Sequence, residues 1–178
     1  MRTLLPFRPA GLRTALVAVL LALPLGGAEP APPADGRVAF EATWSAAGQR
    51  RALRAGEREV VTTHLSGAFI VLRGEGLRRG FRGEALFFSN GRDVHAGTLV
   101  LTDDRGDQVF ADLEGEASAR GAEIRGAIRG GTGAWAGISG DFSFRWRQLV
   151  RTPEGEIQGL AEGLKGAFVL PARPETPR

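Results

Sequence analysis

The chain has 178 residues with no cysteine and no tyrosine, two histidines, and 23 Lys+Arg against 20 Asp+Glu. Without cysteine it has no disulfide staple, no thiol nucleophile and no thiolate metal site, and the near balance of charge lacks the clustered basic excess that nucleic-acid binding requires. The isoelectric point near 10.7 overstates the basicity, because with a single lysine (Lys165) almost nothing titrates between the histidines and the arginines.

Arg2, Arg8 and Arg13 lead into an apolar run over residues 14–28 that ends in Gly26, Gly27 and Ala28. A charged start, a short apolar core and a small-residue end form the pattern of a secretory signal peptide. A membrane-spanning helix needs about 20 apolar residues. This run is shorter and is broken by Pro24. The expectation is therefore a signal peptide over 1–28 with cleavage after Ala28, export to the periplasm or beyond, and no stable membrane anchor afterwards. This segment carries three of the bases and none of the acids, so the remainder holds 20 against 20. Attachment as a lipoprotein is excluded for lack of a cysteine. Residues 29–36, "EPAPPADG", read as a Pro-rich linker. Residues 37–170 read as one domain, long enough to be held by its core alone, and residues 171–178 as a disordered tail.

From Arg37 onward no 3.6-residue period emerges, and short β-type runs alternate with turn signals. Eight runs are expected, over 38–47, 59–75, 81–89, 94–102, 108–117, 122–130, 137–151 and 156–170. Between them lie "SNGRD", "TDDRGD", "SARG", "GGTGAWAG" and "TPEGE". Each offers Gly, Asn, Asp or Pro where a turn demands a special φ. Eight sequential strands without helices to cover a sheet predict an all-β, antiparallel up-and-down barrel, since closure removes the unpaired edges. A two-sheet sandwich is the structural competitor. The glycine-rich stretch "RGGTGAWAGISGDFSF" (129–144) lacks the lysine and following helix of a phosphate loop. It reads instead as a sharp bend, with Trp135 plugging one end of the barrel.

The segment "GGTGAWAGISGDFSF" resembles the "GGTGxFAGxxG" turn of plant dirigent proteins and the related turn of the bacterial allene oxide cyclase barrel families. The likeness extends loosely from Trp44 to Phe168 and is nearest to exported bacterial members of unassigned role. The resemblance implies an eight-stranded antiparallel barrel, often a dimer or trimer, whose cavity in some members receives an apolar or phenolic ligand. It implies no residue-level carry-over of catalysis: no catalytic residue of either family matches a position here one-for-one, and a fold does not bring its activity with it.

Few constellations on the chain carry chemistry. "GISG" around Ser139 is not a nucleophile elbow. His64 and His95, on nearby β-runs, lack metal-ligand spacing, so no metal and no cofactor are expected. "DDRGD" (103–107) lacks calcium-loop spacing, and its Arg105-Gly106-Asp107 tripeptide is expected to serve the turn. Asp112, Glu114 and Glu116 share one strand face with Phe110. That face is expected to be a solvated stripe, with Arg125 and Arg129 available to pair across strands. Were it turned inward, Glu84, Asp112 or Glu114 would be the candidate acid/base of an isomerase or cyclase. In "GDFSFRWRQL", Phe142, Phe144 and Trp146 share the opposite face from Ser143, Arg145 and Arg147, and are the candidate ligand-binding residues of the lumen. Phe87 and Phe88 point opposite ways, so one must face outward, which hints at a homo-oligomer contact. The leading expectation is a non-catalytic module that binds a small apolar ligand or serves as an oligomeric scaffold. A lumen-carboxylate isomerase and a packed structural barrel without ligand are the alternatives.

Overall fold

The computed structural model describes residues 36–90, 94–118 and 121–171, apart from the side chains of residues 94, 95, 117 and 118. The proposed export segment 1–28, all but Gly36 of the linker 29–36 and all but Pro171 of the tail 171–178 lie outside the described residues.

Eight strands follow one another along the chain: β1 (Val38–Ala55), β2 (Arg58–Arg73), β3 (Gly80–Ser89), β4 (Val94–Thr102), β5 (Gln108–Ser118), β6 (Gly121–Gly131), β7 (Ser139–Arg151) and β8 (Glu156–Val169). Each pairs antiparallel with its neighbour in sequence, and β8 returns to β1 to close an up-and-down barrel. The sandwich alternative is thereby set aside. Sequential strands pair as antiparallel neighbours, and a 3-10 turn, Gly133–Trp135, interrupts the β6–β7 connection.

The inside–outside alternation of a strand decides the core. Phe40, Ala42, Trp44 and Ala46 of β1 are buried, as are Val109, Ala111 and Leu113 of β5 and Phe142 and Phe144 of β7. The outer wall is charged. Asp112 binds Arg129 at 2.8 Å and Glu116 binds Arg125 at 3.4 Å, the cross-strand pairs expected of an outward acid stripe. An apolar interior under a charged exterior is the inverse of a membrane-spanning barrel, whose outer band is apolar.

β1 runs well past its expected end near residue 47. Its polar continuation "GQRRALRA" (48–55) pairs with β2 in register from Gly48↔Leu65 to Ala55↔Arg58. The two-residue loop Gly56-Glu57 places Gly56 at φ 67°, the residue that a type II′ hairpin turn wants at its first position. Pairing of β1 to β8 ends at Gln49 and of β2 to β3 at Val61. Beyond those points the hairpin projects as a two-stranded arm. Apolar alternation marks a strand that faces a core, and this arm has almost none because it has no core to face.

The two ends of the barrel differ. Trp135 closes one of them: it is 3% exposed and its ring lies 5.6 Å from that of Phe81. Its Nε1 donates to Asp103 Oδ2 at 3.1 Å. The 3-10 turn that carries it is held by Ala134 N donating to Asp107 Oδ2 at 3.0 Å and by Gln108 N donating to Thr132 Oγ1 at 2.9 Å. Gly133 is required there twice over. Its φ is 52°, and a Cβ would stand 1.9 Å from Asp107 Oδ1. The glycine-rich stretch is thus the bend and plug expected of it.

Candidate functional site: the open half of the lumen

Inner residues change in size along the barrel axis. Toward the Trp135 end, Phe40, Phe69, Phe81, Phe142 and Phe168 fill the interior, with a residual void of about 30 Å³. Toward the other end Gly121 and Ala122 line the lumen, while the room beside Gly115 and Gly159 is taken by Ile124 Cδ1 and the Trp146 ring. Eight strands enclose space for packed side chains or for one small ligand, and small residues leave that space empty. A cavity of about 260 Å³ results, lined by apolar atoms of Val61, Leu65, Phe87, Ile124, Trp146 and Ile157.

Its floor is aromatic. Trp146 lies 5.5 Å from Trp44, which meets Phe144 edge-on at 6.3 Å. The Trp146 ring lies against β8 where Gly159 gives it room, since a Cβ there would come within 2.4 Å of its Cζ2. Polar groups stand around the walls and mouth: Thr63, Ser89, Gln148 and Arg50. Arg50 has a side chain only 15% exposed and donates to Glu59 Oε2 at 2.8 Å, so its charge is already matched. Trp44 is fully buried, and its Nε1 has no hydrogen-bond partner; it faces the bare backbone of Gly83.

Among the expected ligand-binding residues, Phe142, Phe144 and Trp146 all face inward, but at different depths. Trp146 lines the cavity, Phe144 packs beneath it, and Phe142 belongs to the filled half. Phe87 faces the cavity and Phe88 faces out, 49% exposed. Glu84, Asp112 and Glu114 stand on the outer wall instead of in the lumen. Glu84 pairs with Arg82 at 2.9 Å, Asp112 pairs with Arg129, and Glu114 is exposed. The phase of each strand explains this: Gly83 and Ala85 of β3 and Ala111, Leu113 and Gly115 of β5 take the inner positions. Among the described residues no carboxylate lines the cavity.

The acid that is buried lies at the opposite end. Asp103 has no exposed side-chain surface. Burial pushes its carboxyl up, but the Arg105 and Asp107 amides at 2.8 and 3.0 Å, Trp135 Nε1 and the Arg78 charge outweigh this and hold it below its ordinary value of 3.8. A carboxylate so fully engaged stays ionised and has no free proton to trade. The same turn absorbs the Arg-Gly-Asp tripeptide, since Asp107 serves Ala134. His64 is exposed on β2, and β4, which carries residue 95, lies beyond β3; the side chain of His95 is outside the described residues. Among the described residues no cluster of three metal-ligating side chains forms.

Sequence reasoning missed Arg50, Val61, Thr63, Ser89, Gln148 and Ile157 as lining residues. The phase of β2 was the available signal, because Val61, Thr63 and Leu65 share the face of Phe69 and Val71. The chain matches no family model, no curated protein and no solved structure.

Proposed function

We propose that the protein is an exported, non-catalytic binding module of the allene oxide cyclase/dirigent-like barrel type, which holds one compact apolar molecule in the open half of its lumen. The observation that carries this reading is the cavity of about 260 Å³ beside Trp146, in a barrel whose other half is packed. A packed structural barrel would fill both halves. An isomerase or cyclase of the kind considered above needs an acid or base within hydrogen-bond reach of its substrate, and Glu84, Asp112 and Glu114 face away.

Size limits the ligand. An apolar cavity of about 150 Å³ accommodates benzene, so this one suits a molecule of about two fused rings. Apolar walls supply affinity roughly in proportion to buried area, while Thr63 and Gln148 offer a polar end of the ligand a partner.

Native mass spectrometry of the gently purified protein, followed by titration with a naphthalene-sized apolar fluorophore, tests the reading. Trp146 fluorescence should change on binding, and Trp146→Phe should lose most of that response. Thr63→Phe fills the cavity and should weaken binding by about tenfold or more with an unchanged circular dichroism spectrum. Absence of both a co-purifying molecule and a saturable titration would sink the proposal, as would undiminished binding by Thr63→Phe.

A further inference from the structure

Over much of the outer wall an acid meets a base across neighbouring strands, as in Glu41–Arg73, Asp112–Arg129, Glu123–Arg145 and Glu162–Arg147. One face departs from this pattern. It begins on the outside of the arm, where Leu53 and Val60 are partners, with Arg51 one row nearer the barrel and Arg58 one row nearer the tip. It continues onto the barrel, where Phe88 stands beside Thr62 and Leu86 beside His64. Leu53 is 70% exposed, Leu86 61% and Phe88 49%. None of these positions is acidic, nor are Ala96 and Thr98, which follow them on β4. Among the described residues acids stand only at the borders of the face. Glu57 lies in the loop at the tip, Glu84 pairs with Arg82, Glu114 is opposite Arg125, and Glu156 is beside Gln49. Glu59 belongs to the inner face of the arm, where Arg50 holds it.

We infer that this face docks on an anionic phospholipid bilayer. Beyond residue 28 the chain carries 20 bases and 20 acids, so attraction to such a surface has to come from a local excess, and this face has one. Arginine beside exposed leucine and phenylalanine suits an interface: the guanidinium meets headgroup phosphate while the apolar side chain enters the acyl boundary. Shape favours the same occupant. The barrel wall is convex, and its apolar residues stand in separate rows about 7 Å apart along the strands. A fluid bilayer moulds itself to such projections, whereas a protein partner needs a complementary surface. The contact is peripheral, because the rest of the wall is charged and a spanning barrel needs an apolar band all round.

The face also lies at the open end. Val61, Thr63 and Phe87 line the cavity, and their chain neighbours Thr62 and Phe88 stand on the docking face. Docking brings the mouth of the lumen to an apolar phase, but it does not depend on the lumen being filled.

Co-sedimentation with vesicles of phosphatidylcholine and phosphatidylglycerol in equal parts tests this. The chain from Glu29 onward is used without added ligand, so that the apolar run 14–28 does not itself bind; the barrel closes within residues 38–169. The expected result is partitioning onto the mixed vesicles and about tenfold less onto phosphatidylcholine alone. Arg51→Glu with Arg58→Glu should lower it by about tenfold or more, and Leu53→Ser with Phe88→Ser by about the same factor. An unchanged circular dichroism spectrum checks that the barrel persists in each. Because the chain has no cysteine, one introduced thiol can carry a polarity-sensitive dye. On Phe88→Cys the dye should shift to the blue on the vesicles, while on Ser143→Cys, in β7 across the barrel, it should not. Failure to sediment with the anionic vesicles overturns the inference. So does binding that the charge reversal leaves intact, an equal dye shift at the two positions, or a dimer formed through Phe88 that keeps the protein off the vesicles. None of these outcomes decides the lumen reading, which the fluorophore titration tests separately.

Discussion

Asp103 lies in a turn, yet its carboxylate is sealed from solvent by the Trp135 plug. Donors from two backbone amides, an indole and a guanidinium surround it, so its charge is the hub of the closed end. Because its folded pKa is depressed, the unfolded chain takes up the proton first as the pH falls. The stabilisation is complete above the ordinary value of 3.8 and is lost as the pH drops through the lower folded value. Asp103→Asn places an amide against donors and leaves at least one of them unsatisfied. It should cost about 1–3 kcal/mol near neutrality and flatten the acid limb of stability below about pH 4. Urea unfolding as a function of pH measures both; an acid limb unchanged in the variant would show that other carboxylates produce it. Little of this was legible beforehand. "TDDRGD" announces a turn through its Asp and Gly residues, but whether an Asp in a turn looks outward or serves a buried indole depends on a tryptophan 32 positions away.

Strands were legible in proportion to how much core they face. In β7 the alternation of Phe142, Phe144 and Trp146 with Ser143, Arg145 and Arg147 gives the inner face directly, and β5 is as plain. The β1 side of the arm, residues 48–55, was missed because residues 51–55 are exposed on both faces, whereas its β2 side fell within the expected run 59–75. Residues 51–55 and 58–60 have no third strand beside them among the described residues. Their amides should exchange with solvent orders of magnitude faster than those of β5, since a two-stranded ribbon is marginal by itself. Ala52→Pro should accordingly cost less than about 1 kcal/mol, whereas Ala111→Pro, in a strand paired on both sides, should cost about 3 kcal/mol or more. Hydrogen exchange and chemical denaturation read these out. Equal protection of arm and barrel would show that the arm is not independent. The arm is charged throughout, with Arg51, Arg54, Arg58 and Glu59, which discourages another strand from pairing with its edges.

At the scale of the whole molecule, a gradient of side-chain volume divides the barrel into a filled half and a hollow one. Leu113, 1% exposed, is surrounded on all sides, so Leu113→Ala should cost about 2–5 kcal/mol. Val61 borders the cavity and is only half-buried, so Val61→Ala should cost about 1 kcal/mol and enlarge the space offered to a ligand. Denaturant unfolding of the two variants compares them. Similar losses would mean that the open half is as tightly packed as the closed one. Saturation with a lumen ligand should raise the midpoint of the wild type, because binding confined to the folded state stabilises it.

Strand number and sequential antiparallel order follow from the sequence by itself, while closure over a two-sheet sandwich is decided by the pairing of β8 with β1. Eight β-type runs separated by tight turns leave no long connection for a crossover and no helix to shield a face. Local alternation also separates the acid stripe of β5 from its apolar face and the aromatic row of β7 from its polar face, with the stripe expected outside and the aromatics inside; the structure decides that orientation. Tertiary structure alone decided which end is open, that Glu84 points away from the lumen, and that Asp103 is buried. The reason is geometric: each of these depends on which residues of different strands share a level of the barrel. That level is set by the register and stagger of all eight strands together, not by the period of any one.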